Sequence, residues 1–349
     1  MSILGKHCKV LPDQLPENLM SPIKKATISD VAQAAGVSRS TVSKVMNGTQ
    51  KLPDTTEKRI WEAVRQLGYQ ASPHARSLST GRSRAIGLVI LDILNPHFTS
   101  IVKGAGRVAR EHGYAVLLAD AEEDPAQEEE LIRTLQARTD GLLLAGSRLP
   151  DDQLRALHGP SSPIVTVGRV LPEMPAVVAT EAQAAHELTC SVARWGAKSP
   201  TYLAGPPFWV NERRTEGYLA AMQEMRLPPV VVPLSRLDVT GGWEVVKALM
   251  ERPRFPDALI CYNDIVALGV IAALREMDLS VPNDVQVVAF GPENPLLTHI
   301  THAQIPSQQL GSEGADLLIQ MLNGVYPKIF CLEFPTLVRL GTTSVSTSF

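Results

Sequence analysis

Arg39, Ser40 and Lys44 sit close together in the stretch ATISDVAQAAGVSRSTVSKVMNG, residues 26–48, and their types suit one chemistry. A guanidinium or ammonium group attracts phosphate and donates to guanine, and a hydroxyl can donate or accept at either kind of base edge. These side chains act together only if the backbone around them is helical, and the neighbouring residues supply that. Thr27 is a capping residue type, and with Asp30 three positions on it fits the Ser/Thr-x-x-Asp/Glu capping pattern. Ile28, Val31, Ala32 and Ala35 recur at the spacing of one apolar helical stripe. Gly36 suits a tight left-handed helix end, and Ser38 can cap a second helix in which Val42, Val45 and Met46 share a face. This is a helix-turn-helix pattern, whose second helix presents short polar and basic side chains to DNA. The same residues also suit an ordinary helical hairpin with a solvated basic face, and the stretch alone leaves both readings open.

Charge is divided unevenly along the 349 residues. Residues 24–84 hold 11 Lys and Arg against 4 Asp and Glu, net +7, which leaves 22 against 32 elsewhere, net −10. A basic N-terminal domain on an acidic body is the footprint of a nucleic-acid binder with a second task. Residues 1–24 lack periodicity and read as a flexible tail. Residues 25–70 form the helix-turn-helix domain, its third helix marked by Ile60, Val64 and Leu67 before Gly68. Residues 71–83 read as a linker with room for about two turns of helix after Ser72 and Pro73.

From residue 84 to 349, short apolar runs alternate with amphipathic segments. The runs at 85–91, 114–120, 141–146, 163–168, 200–205, 230–234, 257–263 and 285–291 read as buried parallel strands, with helices such as 98–112, 125–138, 211–225 and 264–277 between them. That length suits two doubly wound lobes, whose ligands bind beyond the strand C-termini. The four cysteines at 8, 190, 261 and 331 have neither paired nor metal-ligand spacing, which suits thiols in a reducing compartment. With no signal peptide and only strand-sized apolar runs, the expected location is the cytoplasm, without membrane contact.

Taken in order, TISDVAQAAGVSRSTVSKVMNG, ARSLSTGRSRAIGLVILDILNPHF and CYNDIVALGVIAALREMDLSVPNDVQVVAF resemble the LacI/GalR family of bacterial transcription regulators from about residue 25 to near 340. The resemblance implies a small all-α helix-turn-helix DNA-binding domain followed by an α/β two-lobed, periplasmic-binding-protein-like core. It further implies a homodimer on near-palindromic double-stranded operator DNA, controlled by a carbohydrate-like effector held between the lobes, with repression the commoner behaviour. By position, Arg39, Ser40 and Lys44 would read bases, Thr27, Ser38, Ser43 and Asn47 would hold phosphates, and Leu78 would wedge into the minor groove from a hinge helix over 72–79. Effector-binding positions would be Asp92, Asn95, Phe98, Arg214, Asn263 and Asp264. As plain structure, Asp92, Asn95 and Asp264 equally suit helix caps.

Two departures from the family pattern stand out. Pro73 comes four residues after Tyr69, where the family usually has it two after. At AFGPENP, where relatives commonly carry GFDD, this chain has Gly291 and Pro292. Losing that acid while keeping Arg214 weights the ligand toward an anion, a sugar acid or phosphorylated sugar. No dinucleotide fingerprint, phosphate-binding loop or nucleophile elbow is present, so no catalytic residue and no cofactor are expected. His299 and His302 lack further ligands nearby in sequence, so no metal is expected there.

Overall fold

A computed structural model describes residues 26–46, 52–69, 82–159, 162–326 and 331–344. The tail over 1–24, Asn47 and the proposed hinge over 72–79 with Leu78 lie outside the described residues. The chain divides into two compact units, Met1–Gly81 and Arg82–Phe349.

The first unit contains α1 (Ile28–Ala35), α2 (Arg39–Met46) and α3 (Asp54–Leu67). Thr27 and Asp30 form a reciprocal capping box at the start of α1. Gly36 ends α1 at φ 60°, ψ 40°, the left-handed conformation that an L side chain disfavours. The Ser38 hydroxyl accepts from the Thr41 amide at 3.1 Å, capping α2. Val31, Ala32, Ala35, Val42, Val45, Ile60 and Ala63 make the core. One expected core position fails: Leu67, the last residue of α3, is 40% exposed, and Ala63 faces inward.

In the second unit, one sheet has the order β11-β5-β4-β3-β1-β2 and the other β12-β10-β9-β8-β6-β7. The first comprises β1 (Ala85–Ile90), β2 (Ala115–Asp120), β3 (Gly141–Ala145), β4 (Ile164–Val167), β5 (Ala176–Ala179) and β11 (Cys331–Phe334), all parallel. The second comprises β6 (Pro200–Ala204), β7 (Val230–Pro233), β8 (Ala258–Cys261), β9 (Gln286–Pro292), β10 (Thr301–Ile305) and β12 (Leu337–Arg339), parallel except for β12. The helices are α4 (Pro96–Glu111), α5 (Pro125–Gln136), α6 (Asp151–Leu157), α7 (Glu181–Arg194), α8 (Trp209–Glu224), α9 (Val239–Met250), α10 (Asp264–Glu276) and α11 (Ser307–Leu322). The chain passes between lobes after β5, after β10 and after β11, and α11 returns to pack on α4.

The expectation of buried strands needs correction at two places. β2 and β7 are sheet edges, so Leu117, Leu118 and Val231 stay 37–40% exposed instead of being covered on both sides. The inner strands β1, β3, β6 and β8 are buried throughout. In each sheet the strand order reverses beside the first strand of its lobe, between β1 and β3 and between β6 and β8. Loops diverge at such a switch point and leave a crevice beyond the strand ends.

Candidate functional site

The turns that follow β1, β3, β4, β6, β8 and β9 converge on one cavity between the lobes. Asn95 and Phe98 enter it from the start of α4, Arg214 from α8, and Asn263 and Asp264 from the start of α10. Asp92 does not line it: its Oδ1 accepts from the Leu94 amide at 2.8 Å, fixing the turn after β1. Asn95 Oδ1 accepts from the His97 amide at 3.0 Å and Asn263 Oδ1 from the Val266 amide at 2.7 Å, so both are helix caps as well as wall residues. Asp264 is not the cap.

Arg214 is buried, with two of its three guanidinium nitrogens engaged. Its Nε donates to Glu181 Oε2 at 2.7 Å and its Nη1 to the Tyr262 carbonyl at 2.6 Å. The guanidinium lies 4.3 Å from the Phe290 ring centroid and 5.1 Å from that of Tyr262. Burial opposes its charge, but Glu181 and its other neighbours more than offset that and hold the group protonated. Arg148 pairs with Glu123 and stacks 5.0 Å from the Phe208 ring. Arg169 pairs with Asp151 and donates to the Ser147 carbonyl at 3.0 Å. Each arginine in the wall therefore has a carboxylate partner.

Asp264 is the contrasting group. Its Oδ1 is buried with no hydrogen-bond partner among the described residues, and burial pushes its pKa up to about 6. Gly291 lies directly beside this carboxylate. A Cβ there would stand 2.9 Å from Asp264 Oδ2, so the Asp264 carboxylate fills the space beside Gly291. His97 faces the same cavity with Nδ1 2.7 Å from Ser307 Oγ. Burial, and then the Arg214 charge, push its pKa down to about 3. His97, Arg148, Arg169 and Glu181 were not among the residues singled out from sequence. No motif marks them, and only the convergence of separate loops brings them together.

In the first unit, Arg39, Ser40 and Lys44 are exposed on α2, opposite buried Val42 and Val45. Ser38 Oγ lies 2.7 Å from Ser40 Oγ, and Thr27 is exposed at the start of α1. Ser43 is half-buried on α2. Arg59 Nη2 donates to the Ala35 carbonyl at 2.8 Å, fastening α3 to the turn that sets the angle of α2.

Comparison with known proteins agrees with both halves. Residues 27–72 match the model of bacterial regulatory proteins, lacI family, and residues 83–329 that of periplasmic binding proteins and the sugar binding domain of the LacI family. The chain belongs to the LacI family. It is 30% identical over 310 residues to the transcriptional repressor CytR of Escherichia coli K12, spanning 86% of this chain and 90% of CytR. It is 31% identical over 271 residues to the repressor PurR of Actinobacillus pleuropneumoniae serotype 3, spanning 76% of this chain and 81% of PurR. The lac repressor dimer bound to operator and the anti-inducer ONPF superposes with a TM-score of 0.83 at 21% identity, covering 93% of this chain and all of that one. A complex of the regulator CelR with cellobiose gives 0.67 at 24% identity, covering 91% and 99%. This LacI-family chain is thus a DNA-binding transcriptional regulator of the repressor kind, controlled through an effector-binding body. Its family regulates transcription and does not comprise enzymes. No helix among the described residues is long and apolar enough to cross a membrane.

Proposed function

We propose that the chain is a cytoplasmic homodimeric repressor whose effector is a neutral, hydroxyl-rich ring compound such as a sugar or nucleoside, bound in the cavity at Asp264. The observation that carries this is the lone acceptor: Asp264 Oδ1 has no partner in a wall whose arginines are already paired. A buried acceptor without a donor costs free energy that a ligand hydroxyl recovers. Phe98, Phe208 and Phe290 supply flat apolar faces for the ring. Arg39, Ser40 and Lys44 read bases, while Thr27, Ser38 and Ser43 hold phosphates, which fix register without reading sequence. The body has no turnover of its own.

An anionic ligand is the second reading, favoured by Arg214 and by glycine in place of an acid at 291. An anion would share Arg214 with Glu181, whose carboxylate already offsets the guanidinium charge. Isothermal titration of the purified chain against neutral sugars, nucleosides, sugar acids and sugar phosphates separates the two. Saturable binding of a neutral compound that Asp264→Asn weakens supports the first reading, and binding of anions alone overturns it.

A further inference from the structure

Away from the cavity, α7 and α8 gather a second set of coordinating atoms. His186 and Cys190 stand four residues apart on α7, so their side chains leave one face of the helix. Glu224, the last residue of α8, closes on both. His186 Nε2 lies 2.9 Å from Glu224 Oε2, and Cys190 Sγ lies 3.9 Å from His186 Nε2 and 4.0 Å from Glu224 Oε1. In a tetrahedral zinc site with ordinary bond lengths, such atoms stand about 3.3–3.6 Å apart. With one ligand atom taken from each residue, the three lie within 4.8 Å of one another, and side-chain rotations bring them to that spacing. An ordinary His–Glu ion pair would account for the 2.9 Å contact but does not require a thiol near both partners.

We propose that His186, Cys190 and Glu224 form a binding site for a divalent transition-metal ion, zinc foremost, with a fourth position open to water. A sulfur, nitrogen and oxygen donor set suits zinc or cobalt and not magnesium or calcium, which take oxygen ligands. Cys190 is buried, while the side chains of His186 and Glu224 are 32% and 52% exposed, so the ion reaches the site from solvent. On binding, the Cys190 thiol loses its proton to water. Nε2 of His186 presents its lone pair to the metal, with the ring proton on Nδ1.

Linear spacing conceals this set, because Glu224 follows Cys190 by 34 residues. Helix packing supplies the third ligand: a Cβ at Gly217 of α8 would stand 1.9 Å from the Ala182 carbonyl of α7, so the two backbones lie almost in contact. The same helix pair carries Glu181 and Arg214, about 15 Å along α8 from Glu224. A metal at the far end would tie the two helices that hold the buried ion pair.

The test uses the full chain titrated with cobalt(II), whose absorption reports its ligands. The expected result is a thiolate-to-cobalt band in the near ultraviolet with intense visible bands of four-coordinate cobalt, displaced by zinc. Cys190→Ser abolishes the near-ultraviolet band, whereas Cys261→Ser and Cys331→Ser keep it. His186→Gln and Glu224→Gln weaken cobalt binding by roughly tenfold or more, since even outer-shell partners are worth that much. Circular dichroism establishes that each variant is folded. Weak bands of six-coordinate cobalt alone, or a thiolate band that survives Cys190→Ser in folded protein, would overturn the site. Neither outcome depends on the identity of the effector.

Discussion

Asp264 and His97 line the same cavity with pKa values moved in opposite directions, and their effects on stability oppose each other. His97 falls from 6.5 to about 3, so the unfolded chain binds the extra proton and stability is lost as pH drops below 6.5. Asp264 rises from 3.8 to about 6, so the folded chain binds the extra proton and stability is gained as pH drops through 6. Between about pH 6 and 4 the two slopes offset each other. Asp264→Asn removes one of them. Urea unfolding at several pH values should then show the variant more stable than wild type at pH 7, by up to roughly 3 kcal/mol, and losing stability faster on acidification. An unchanged pH profile would contradict the assigned shifts. The buried pair of Arg214 and Glu181 makes a separate prediction. Arg214→Met should cost about 3 kcal/mol by leaving Glu181 charged and alone, and adding Glu181→Gln should restore much of that. At this scale the sequence marked Asp92, Asn95, Phe98, Arg214, Asn263 and Asp264 through family position, and all but Asp92 line the cavity. Glu181 escaped notice because its role depends on a partner 33 residues away on another helix.

Among the elements, the helix-turn-helix was the most legible part of the chain. Capping box, left-handed glycine and apolar stripe all act within a few residues, so local chemistry alone specifies them. Thr27→Ala should destabilise α1 by about 1 kcal/mol, seen as faster amide exchange there, whereas Thr27→Ser should be nearly neutral. The strands read from apolar runs were β1 to β4 and β6 to β9, the edge strands β2 and β7 included, while the short interior strand β5 was missed. β10 was harder to see, because Thr301, Ala303 and Ile305 are buried while His302 and Gln304 are only half-buried, a pattern with few large apolar residues. β11 and β12 follow α11 and return to different sheets, an arrangement that no local periodicity reveals. α11, SQQLGSEGADLLIQML, hides its packing face behind small and polar residues, with Ser307, Gly311, Ser312 and Gly314 all buried.

For the whole molecule, the division of charge and of fold agree: the basic helical unit precedes an acidic α/β body. If an effector changes operator affinity by some factor, operator DNA must change effector affinity by the same factor, which calorimetry with and without DNA can check. Effector binding through ionised Asp264 should weaken as pH falls below about 6, the reverse of its effect on stability. Sequence-selective DNA binding under small-molecule control is measured by a fluorescence anisotropy titration against DNA from the gene's own upstream region. At several salt concentrations, a near-palindromic site should bind far more tightly than scrambled DNA, with log affinity falling linearly with log salt. Arg39→Ala should erase much of that preference, while leaving weak non-selective binding. Equal, weak binding to every sequence, unchanged by any saturating cavity ligand, would contradict the account.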